Sequence, residues 1–171
     1  MPEPWFCKGV ATCNQVPFSN QVDWIRVMIR LVLLLMTLSS GSVFAASQGE
    51  VDSCIAKAAA HHRVDLNLLR AIAKVESGMN PRAEATNKNG SSDTGLMQIN
   101  DWWLPTLSKY GIKKSDLLDA CTSAYVGAWI LAHSIKTHGL TWRAVGAYNS
   151  PTPKNQKIYA EKVNAALAQQ P

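Results

Sequence analysis

Apolar residues recur at helical spacing along most of the chain after residue 50. The clearest example is the stripe of Leu69, Ile72 and Ala73, which follows the i, i+3, i+4 pattern of a helix with one side in the core. Asp65 stands where its side chain can cap the first turn of that helix. The same periodicity elsewhere predicts further helices, and the full set is about 51–62, 65–79, 101–109, 115–137, 141–148 and 155–169.

The longest predicted helix carries an apolar stripe that includes a cysteine. The members of this stripe are Leu117, Cys121, Ala124, Ala128, Leu131 and Ile135. Ser115 is the predicted N-cap of the helix, and Gly139 is its predicted end. Strand-like signal is confined to the turn-rich segment from Asn87 to Ile99, where a small β-hairpin is expected. We therefore predict a mainly α fold with a single globular domain.

The first 46 residues differ in character from the rest of the chain. Residues 28–30 include a positive charge, residues 31–38 are apolar, and residues 39–47 are rich in small side chains, which is the order of a secretory signal peptide. The apolar run is too short to span a bilayer. The cleavage region contains no cysteine to which a lipid could be attached, so a lipid anchor is not expected. We assign residues 28–46 to a signal peptide and residues 1–27 to an upstream extension without function. The alternative is a cytoplasmic tail on an uncleaved anchor.

Cleavage at that point would leave residues 47–171 as the mature domain, without a stable membrane anchor. It holds 14 Lys and Arg against 10 Asp and Glu, a formal net charge of +4. Its basic residues are scattered, and the absence of an arginine-rich helix argues against nucleic acid as a partner. The four histidines of the chain lack zinc-ligand spacing, and there is no Gly-rich phosphate loop. We therefore expect neither a metal nor another cofactor.

A carboxylate occupies the next position of the stripe on the 65–79 helix. Glu76 stands at i+7 from Leu69, where a core-facing leucine is expected, so burial should disfavour its charged form and raise its pKa. Gly78 and Pro81 end the helix directly after it, and the negative end of the helix dipole also favours the neutral acid. A carboxyl group that stays neutral near pH 7 is suited to general acid catalysis. The alternative is a glutamate that extends to solvent or pairs with a lysine.

Four motifs that include this glutamate resemble the lysozyme-like soluble lytic transglycosylases, the SLT domains of the goose-type lysozyme fold. They are Glu76-Ser77-Gly78, Gly95-Leu96-Met97-Gln98-Ile99-Asn100, Ala147-Tyr148-Asn149 and Tyr159. The resemblance runs from about Val51 to Val163. The stretch from Asp93 to Trp103 also looks like the corresponding part of animal C-type lysozymes, including the interval between glutamate and aspartate. The small size and the cysteine pair are similar to specialised transglycosylases that accompany bacterial secretion systems, conjugation machines and pili.

The resemblance implies that Glu76 is the general acid and base. Asp93 is expected to stabilise the developing cation or to orient the sugar, and a turn residue is the alternative for it. Trp102 and Trp103 suit stacking on sugar rings, but adjacent side chains point to different sides, so at least one is expected in the core. The residues expected to bind substrate are Ser77, Gly95, Met97, Gln98, Asn100, Trp102, Tyr148, Asn149 and Tyr159.

Several of these residues have a structural alternative. Gln98 lies in an apolar segment, so its amide needs a partner, either substrate or backbone. Tyr148 and Tyr159 could instead pack in the core with satisfied hydroxyl groups. Trp129 and Trp142 are expected to be structural.

Cys54 and Cys121 are the cysteines of the predicted mature domain. Because an exported domain meets oxidising conditions, we expect them to form a disulfide between the first helix and the long central helix. The alternative is a pair of buried thiols that pack as small hydrophobic side chains.

The function implied by the resemblance is that of a lytic transglycosylase. It would cleave the β-1,4 bond between MurNAc and GlcNAc in peptidoglycan and close a 1,6-anhydro ring on MurNAc. Its partners would be peptidoglycan glycan strands and a secretion, conjugation or pilus assembly, and it would act as a monomer in the periplasm of a Gram-negative bacterium. The alternatives are a muramidase that hydrolyses the same bond with Glu76 and Asp93, and a glycan-binding accessory protein without turnover.

Overall fold

Helices make up most of the structure, a computed structural model that describes residues 47–170. In chain order, the helices and strands are α1 (Gln48–His62), α2 (Leu66–Ser77), β1 (Glu84–Thr86), β2 (Ser92–Thr94), β3 (Ile99–Asn100), α3 (Leu104–Leu107), α4 (Ala120–His138), α5 (Trp142–Asn149) and α6 (Pro153–Ala168). Short 3-10 helices flank α3 and precede α4, at Asp101–Trp103, Ser108–Tyr110 and Lys114–Leu118. The prediction of a mainly α fold is confirmed.

The predictions for the start of the chain fall outside this region. The proposed extension, residues 1–27, and the proposed signal peptide, residues 28–46, are not among the described residues. From residue 47 to residue 170, no helix has the length and the apolar content needed to cross a membrane.

The core forms where α4 packs against α1 and α5, and where α6 packs against α5 and α2. Leu69 and Ile72 of the predicted α2 stripe are fully buried, as are Ile55 of α1 and Leu131 of α4. Each of these side chains contributes about 1.5–3 kcal/mol through burial of apolar surface. The helical stripe of α2 therefore points into the core as predicted, and it fixes the orientation of the residues that follow it.

The predicted start of the long helix is wrong. Ser115 lies within the 3-10 helix Lys114–Leu118, and its hydroxyl donates to Asp116 at 3.4 Å. α4 begins instead at Ala120, because the side chain of Asp119 accepts the backbone N–H of Thr122 at 2.8 Å. The cap of α2 is as predicted, since Asp65 accepts the N–H of Leu68 at 2.8 Å. The end of α4 at Gly139 is also as predicted.

A disulfide joins α1 to α4. Cys54 and Cys121 are bonded, with their Cα atoms 4.6 Å apart and a sequence separation of 67. The predicted pairing is therefore confirmed. It links two helices that also pack against each other in the core.

A small antiparallel sheet follows α2, with strand order β1–β2–β3. β1 and β2 form the predicted hairpin, in which Ala85 pairs with Asp93. β3 adds a strand that the sequence pattern did not predict, and it places Asn100 opposite Asp93. The register of the strands thus brings two polar side chains together, those of Asp93 and Asn100.

Gly95, directly after β2, occupies a place that has no room for a side chain. Its φ is +83°, and a Cβ atom built there would lie 1.9 Å from the carbonyl oxygen of Leu117. Gly95→Ala is expected to lower the free energy of unfolding by about 3 kcal/mol, because left-handed backbone and steric overlap both destabilise the folded state. Urea unfolding measures this change.

Gly111→Ala is the matched control for this substitution. Gly111 also has a positive φ, +76°, but a Cβ atom there would meet nothing within 4 Å. Gly111→Ala should therefore lower the free energy of unfolding by only about 1 kcal/mol, which is the cost of placing alanine in left-handed backbone. Equal losses in the two variants would contradict the steric argument.

Candidate active site

Glu76 lies in the last turn of α2, on the side of the helix that meets α6. α2 ends directly after it, because Gly78 takes a left-handed φ of +63° and its N–H turns back to the carbonyl oxygens of Ala73 and Lys74. The carboxyl group is therefore held at the end of a helix whose apolar stripe, with Glu76 as its last position, is anchored in the core. Its position is set by a rigid element rather than by a loop.

Two tyrosines meet behind this carboxyl group. Tyr159 of α6 donates a hydrogen bond of 2.5 Å to Oε1 of Glu76. Tyr148 of α5 stacks on Tyr159 with ring centroids 6.3 Å apart, and its hydroxyl donates to the carbonyl oxygen of Met97 at 2.8 Å. Both predicted tyrosines are thus close to the acid, and both hydroxyl groups have protein partners.

A cavity of about 270 Å³ opens beside Glu76. Glu76 lines this cavity, and within residues 47–170 no hydrogen bond reaches its Oε2 atom, which is not fully buried. The predicted Asn149 contributes to the wall, whereas Ile158 and Lys162 were not predicted. The lining residues are Val75, Glu76, Asn149, Asn155, Ile158, Tyr159 and Lys162.

Burial raises the pKa of Glu76 from 4.5 to about 7. The hydrogen bond from Tyr159 and the positive charge of Lys162 act in the opposite direction, because both favour the carboxylate, whereas the negative charge of Asp93 raises the pKa further. Burial also raises the pKa of both Tyr148 and Tyr159, and the charge of Glu76 adds to this effect. The site therefore contains a carboxyl group that can give or take a proton near neutral pH, next to phenols that remain neutral.

Tyr159→Phe is expected to raise the pKa of Glu76 by about 1, because the carboxylate loses its hydrogen-bond donor. The measurement is a ¹³C NMR titration of the Glu76 carboxyl carbon. Tyr148→Phe is the control, since that hydroxyl donates to Met97 and not to the acid. A Glu76 pKa that stays the same in Tyr159→Phe would show that the hydrogen bond does not tune the acid.

The segment from Gly95 to Gln98 connects α2 to the helices behind the site through its main chain. The hydroxyl of Ser77 donates to the carbonyl oxygen of Leu96 at 2.7 Å. The N–H of Met97 donates to the hydroxyl of Ser123 on α4 at 3.1 Å. Ser77, which was predicted to bind substrate, is therefore seen holding the end of α2 to this segment.

Two of the predicted substrate contacts lie in the core. The Met97 side chain is fully buried against Gly127, where an added Cβ atom would come within 2.7 Å of it. Gly95 is buried against the main chain of Leu117. The Met97 side chain therefore has no surface available to a ligand, and both residues support the site from the core.

The amide of Gln98 has backbone partners on its nitrogen side. Nε2 donates to the carbonyl oxygens of Ala83 at 3.1 Å and Gly95 at 2.9 Å. Its backbone takes a φ of +45°, which these two hydrogen bonds help to hold. No hydrogen bond from the described part of the chain reaches Oε1, and that atom is not buried without a partner. The oxygen is thus the part of this side chain that can meet a substrate hydroxyl or N–H group.

Asp93 is held by two asparagine amides. Asn87 donates to its Oδ2 at 2.8 Å, and Asn100 donates to its Oδ1 at 2.7 Å. The hydroxyl of Ser91 accepts from both asparagines at 3.1 Å. Asp93 lies on β2, so the alternative of a turn residue is wrong. Asn87 was not predicted, because its approach to Asp93 depends on the register of the hairpin.

The adjacent tryptophans contact each other edge to face, with ring centroids 4.8 Å apart, so the prediction that they point to different sides is wrong, but they differ in exposure. Trp102 is 73% exposed, and its backbone N–H is capped by the side chain of Asn100 at 3.0 Å. Trp103 is half-buried and meets Trp129 edge to face, with ring centroids 5.4 Å apart. Trp142 is 46% exposed, and its structural role stays a prediction. Trp102 is therefore the member of the pair that can stack on a sugar ring.

Comparison with known proteins identifies the family. Residues 53–168 match the family described as the transglycosylase SLT domain. The chain belongs to this family. This SLT domain is similar to invasion protein IagB of Salmonella typhi, with 45% identity over 115 residues that cover 64% of this chain and 72% of IagB. It is also similar to protein IpgF of Shigella flexneri, with 37% identity over 141 residues that cover 80% of this chain and 88% of IpgF.

A solved structure supports the fold of this SLT domain. It is similar to lytic transglycosylase Slt from Pseudomonas aeruginosa, solved as an inactive mutant, with a TM-score of 0.55, 17% identity and coverage of 86% of this chain. The chain spans 28% of the length of that protein. The predicted lysozyme-like fold is confirmed, and by family the protein is a lytic transglycosylase.

Proposed function

We propose that this SLT domain cleaves the β-1,4 bond between MurNAc and GlcNAc and closes a 1,6-anhydro ring on MurNAc. The observation that carries the proposal is the environment of Glu76. Its carboxyl group has a pKa of about 7, accepts a hydrogen bond from Tyr159 on one oxygen and lines a cavity. Membership of the transglycosylase SLT domain family supports the same chemistry.

The first step needs a proton for the leaving group. Protonated Glu76 gives its proton to the glycosidic oxygen, the bond from that oxygen to C1 of MurNAc breaks, and positive charge develops on the sugar ring. Glu76 is then a carboxylate, and the hydrogen bond from Tyr159 stabilises its negative charge. The raised pKa makes the protonated form available at neutral pH.

The second step uses the same carboxylate as a base. It takes the proton from the 6-hydroxyl of MurNAc while O6 bonds to C1 and closes the anhydro ring. Glu76 returns to its protonated form, and no water is consumed. One group with a pKa near 7 therefore serves both steps, because it can give a proton in the first step and take one in the second.

Other residues of the site would bind or stabilise the substrate. The charge of Asp93, fixed by its two amide donors, would stabilise the developing cation. Asn149 and the oxygen of Gln98 would hydrogen-bond to sugar substituents, and exposed Trp102 would stack on a ring. Tyr148, Tyr159 and Asn100 would act mainly by holding Glu76 and Asp93 in place.

A muramidase that hydrolyses the same bond is the second candidate. The observation in its favour is Asp93, whose charge acts on Glu76 and whose side chain is fixed on the sheet. In a retaining hydrolase this carboxylate would act as the nucleophile, and water would complete the reaction. Mass spectrometry of muropeptides released from purified sacculi separates the two candidates. Anhydro ends, lighter by one water, support the transglycosylase, and reducing ends support the muramidase.

Asp93→Asn is expected to lower the rate of muropeptide release by about tenfold, because a nearby stabilising charge is removed while Glu76 remains. The released products should still carry anhydro ends. Asp101→Asn is the matched control, since Asp101 accepts the N–H of Ser92 in the same sheet region at 3.0 Å. A loss of more than about a thousandfold together with reducing-end products in the wild type would identify Asp93 as a nucleophile.

The cellular role is also a proposal. We infer that the protein is exported to the periplasm and opens the wall locally for an envelope-spanning assembly such as a secretion, conjugation or pilus machine. The name invasion protein, given to its Salmonella typhi relative, supports an association of this kind. Fractionation of cells that express the full chain, followed by cross-linking to envelope proteins, tests both parts.

A further inference from the structure

A second cavity lies away from Glu76, between α5 and α6. It is a groove of about 660 Å³, and ligand sites have volumes of roughly 300–1,000 Å³. None of its lining residues belongs to the cavity beside Glu76. The polar and aromatic part of its lining comprises Trp142, Arg143, Lys157, Glu161 and Asn164.

The groove is preformed by a close contact between its two helices. A Cβ atom added to Gly146 of α5 would lie 2.5 Å from the carbonyl oxygen of Gln156 on α6. The amide of buried Gln156 also donates to the carbonyl oxygens of Ser150 at 3.0 Å and Pro151 at 3.3 Å, which ties the connecting turn to α6. A groove that is already shaped needs little ordering when a ligand binds.

The side chains at the groove are available to a ligand. From residue 47 to residue 170, no carboxylate lies within salt-bridge distance of Arg143 or Lys157, and both side chains are exposed. Trp142 leaves nearly half of its surface exposed. Two unpaired cations beside an indole suit a ligand with carboxylates and aliphatic parts, and Glu161 offers an acceptor for an amine.

We propose that this groove binds the acidic peptide stem of a peptidoglycan strand that neighbours the strand being cleaved. The identification of the ligand as part of peptidoglycan rests on the proposed function. Stem peptides carry several carboxylates, and a stem that is not cross-linked also carries a free amine. These charges are complementary to Arg143, Lys157 and Glu161.

The position of the groove on α6 decides which strand it can serve. At about 100° per residue, Lys157 and Asn164 project from one side of the helix. Tyr159 and Lys162, which line the cavity beside Glu76, project from the opposite side. Half the circumference of a helix of this diameter is about 17 Å. A stem on the sugar at Glu76 would have to wrap around α6 over that distance to reach the groove, whereas a stem on a neighbouring strand does not have to cross the helix.

The test compares two charge-reversal variants of the full-length protein. Arg143→Glu/Lys157→Glu changes the groove, and Lys57→Glu/Lys136→Glu makes the same change in net charge at exposed positions on α1 and α4. Each variant is assayed on intact cross-linked sacculi and on soluble, uncross-linked glycan strands that keep their stems. On sacculi, the groove variant should bind and cleave about tenfold less well than the control variant, because two charge-assisted contacts are lost. On soluble strands, the two variants should cleave at equal rates.

Several results would overturn the inference. Equal losses on sacculi in both variants would point to general electrostatic attraction. A loss on soluble strands as large as that on sacculi would assign the groove to the cleaved strand. Normal cleavage combined with lost binding to an envelope protein would make the groove a protein-docking surface.

A failure of the proposed function would look different from a failure of this inference. If the wild-type protein released nothing from either substrate, its sedimentation with sacculi would still test the groove, because binding does not require turnover. Direct binding is measured by adding isolated stem peptide and following the indole N–H signal of Trp142 by NMR. We expect this signal to shift in the wild type and in the Lys57→Glu/Lys136→Glu control. An unchanged signal in the wild type would overturn the inference.

Discussion

Glu76→Gln is expected to reduce the release of muropeptides from sacculi by about 10²- to 10⁴-fold, because the amide cannot deliver the proton that the leaving oxygen needs. Glutamine keeps the size of the side chain and can still accept the hydrogen bond from Tyr159. The measurement is the initial rate of muropeptide release, quantified by mass spectrometry. A rate within tenfold of the wild type would remove Glu76 from the chemistry.

The same variant tests whether Glu76 is buried, through the dependence of the free energy of unfolding on pH. The pKa of Glu76 is about 7 in the folded chain against 4.5 for an ordinary glutamate, so the folded state binds more protons between these pH values. Stability from this group is therefore fully present below about pH 4.5 and is lost as the pH rises to about 7. At pH 8 the buried carboxylate is charged and destabilises the folded state. Glu76→Gln removes this charge and should raise the free energy of unfolding at pH 8 by about 2 kcal/mol, after allowance for partial exposure. Urea unfolding at pH 4 and pH 8 measures the difference, and a variant less stable than wild type at pH 8 would contradict the burial argument.

Removing the disulfide is expected to have the largest effect on stability. Cys54→Ala/Cys121→Ala opens a link that spans 67 residues, and the chain-entropy relation gives a loss of about 4 kcal/mol in the free energy of unfolding. The loss arises mainly because the unfolded chain gains freedom, so the folded structure around α1 and α4 should change little. Urea unfolding under non-reducing conditions measures it.

Reductant provides the control for the disulfide prediction. Reduced wild-type protein should be destabilised to about the level of the double-alanine variant, and the variant itself should not respond to reductant. A wild-type protein whose unfolding midpoint stays the same after full reduction would show that the bond adds nothing to stability.

α2 illustrates what local pattern can establish. Its predicted span, 65–79, is close to the observed Leu66–Ser77, because the Asp65 cap, the apolar stripe and the terminating Gly78 all act within a few residues of one another. The raised pKa of Glu76 followed from the same pattern. A carboxyl group on a core-facing stripe is desolvated wherever the helix packs.

The motif around Gly95 illustrates what local pattern does not establish. Its resemblance to the family was recognisable, but a motif does not show whether a side chain faces the ligand or supports the backbone. Met97 is buried because Gly127 leaves room for it on α4, and Gly95 is required because Leu117 lies directly above it. Both reasons depend on residues far away in the sequence.

The start of α4 shows the same limit. The predicted cap was Ser115, and the observed cap is Asp119, which is a residue type equally suited to this position. The segment Lys114–Leu118 instead forms a 3-10 helix that buries Leu117, so the helix begins only after Asp119.

By itself, the sequence determined the helical class, the position of the acid and the hairpin region, because these depend on periodicity, capping and turn residues within short stretches. Only the tertiary structure decided that Tyr159 bonds to Glu76 and that Lys162 lines the same cavity. It also decided that Asn87 and Asn100 hold Asp93, and that a second groove lies between α5 and α6. The rotation of one helix against another and the register of paired strands are set by side-chain volumes contributed from distant parts of the chain. A single sequence shows those volumes, but not which of them come into contact.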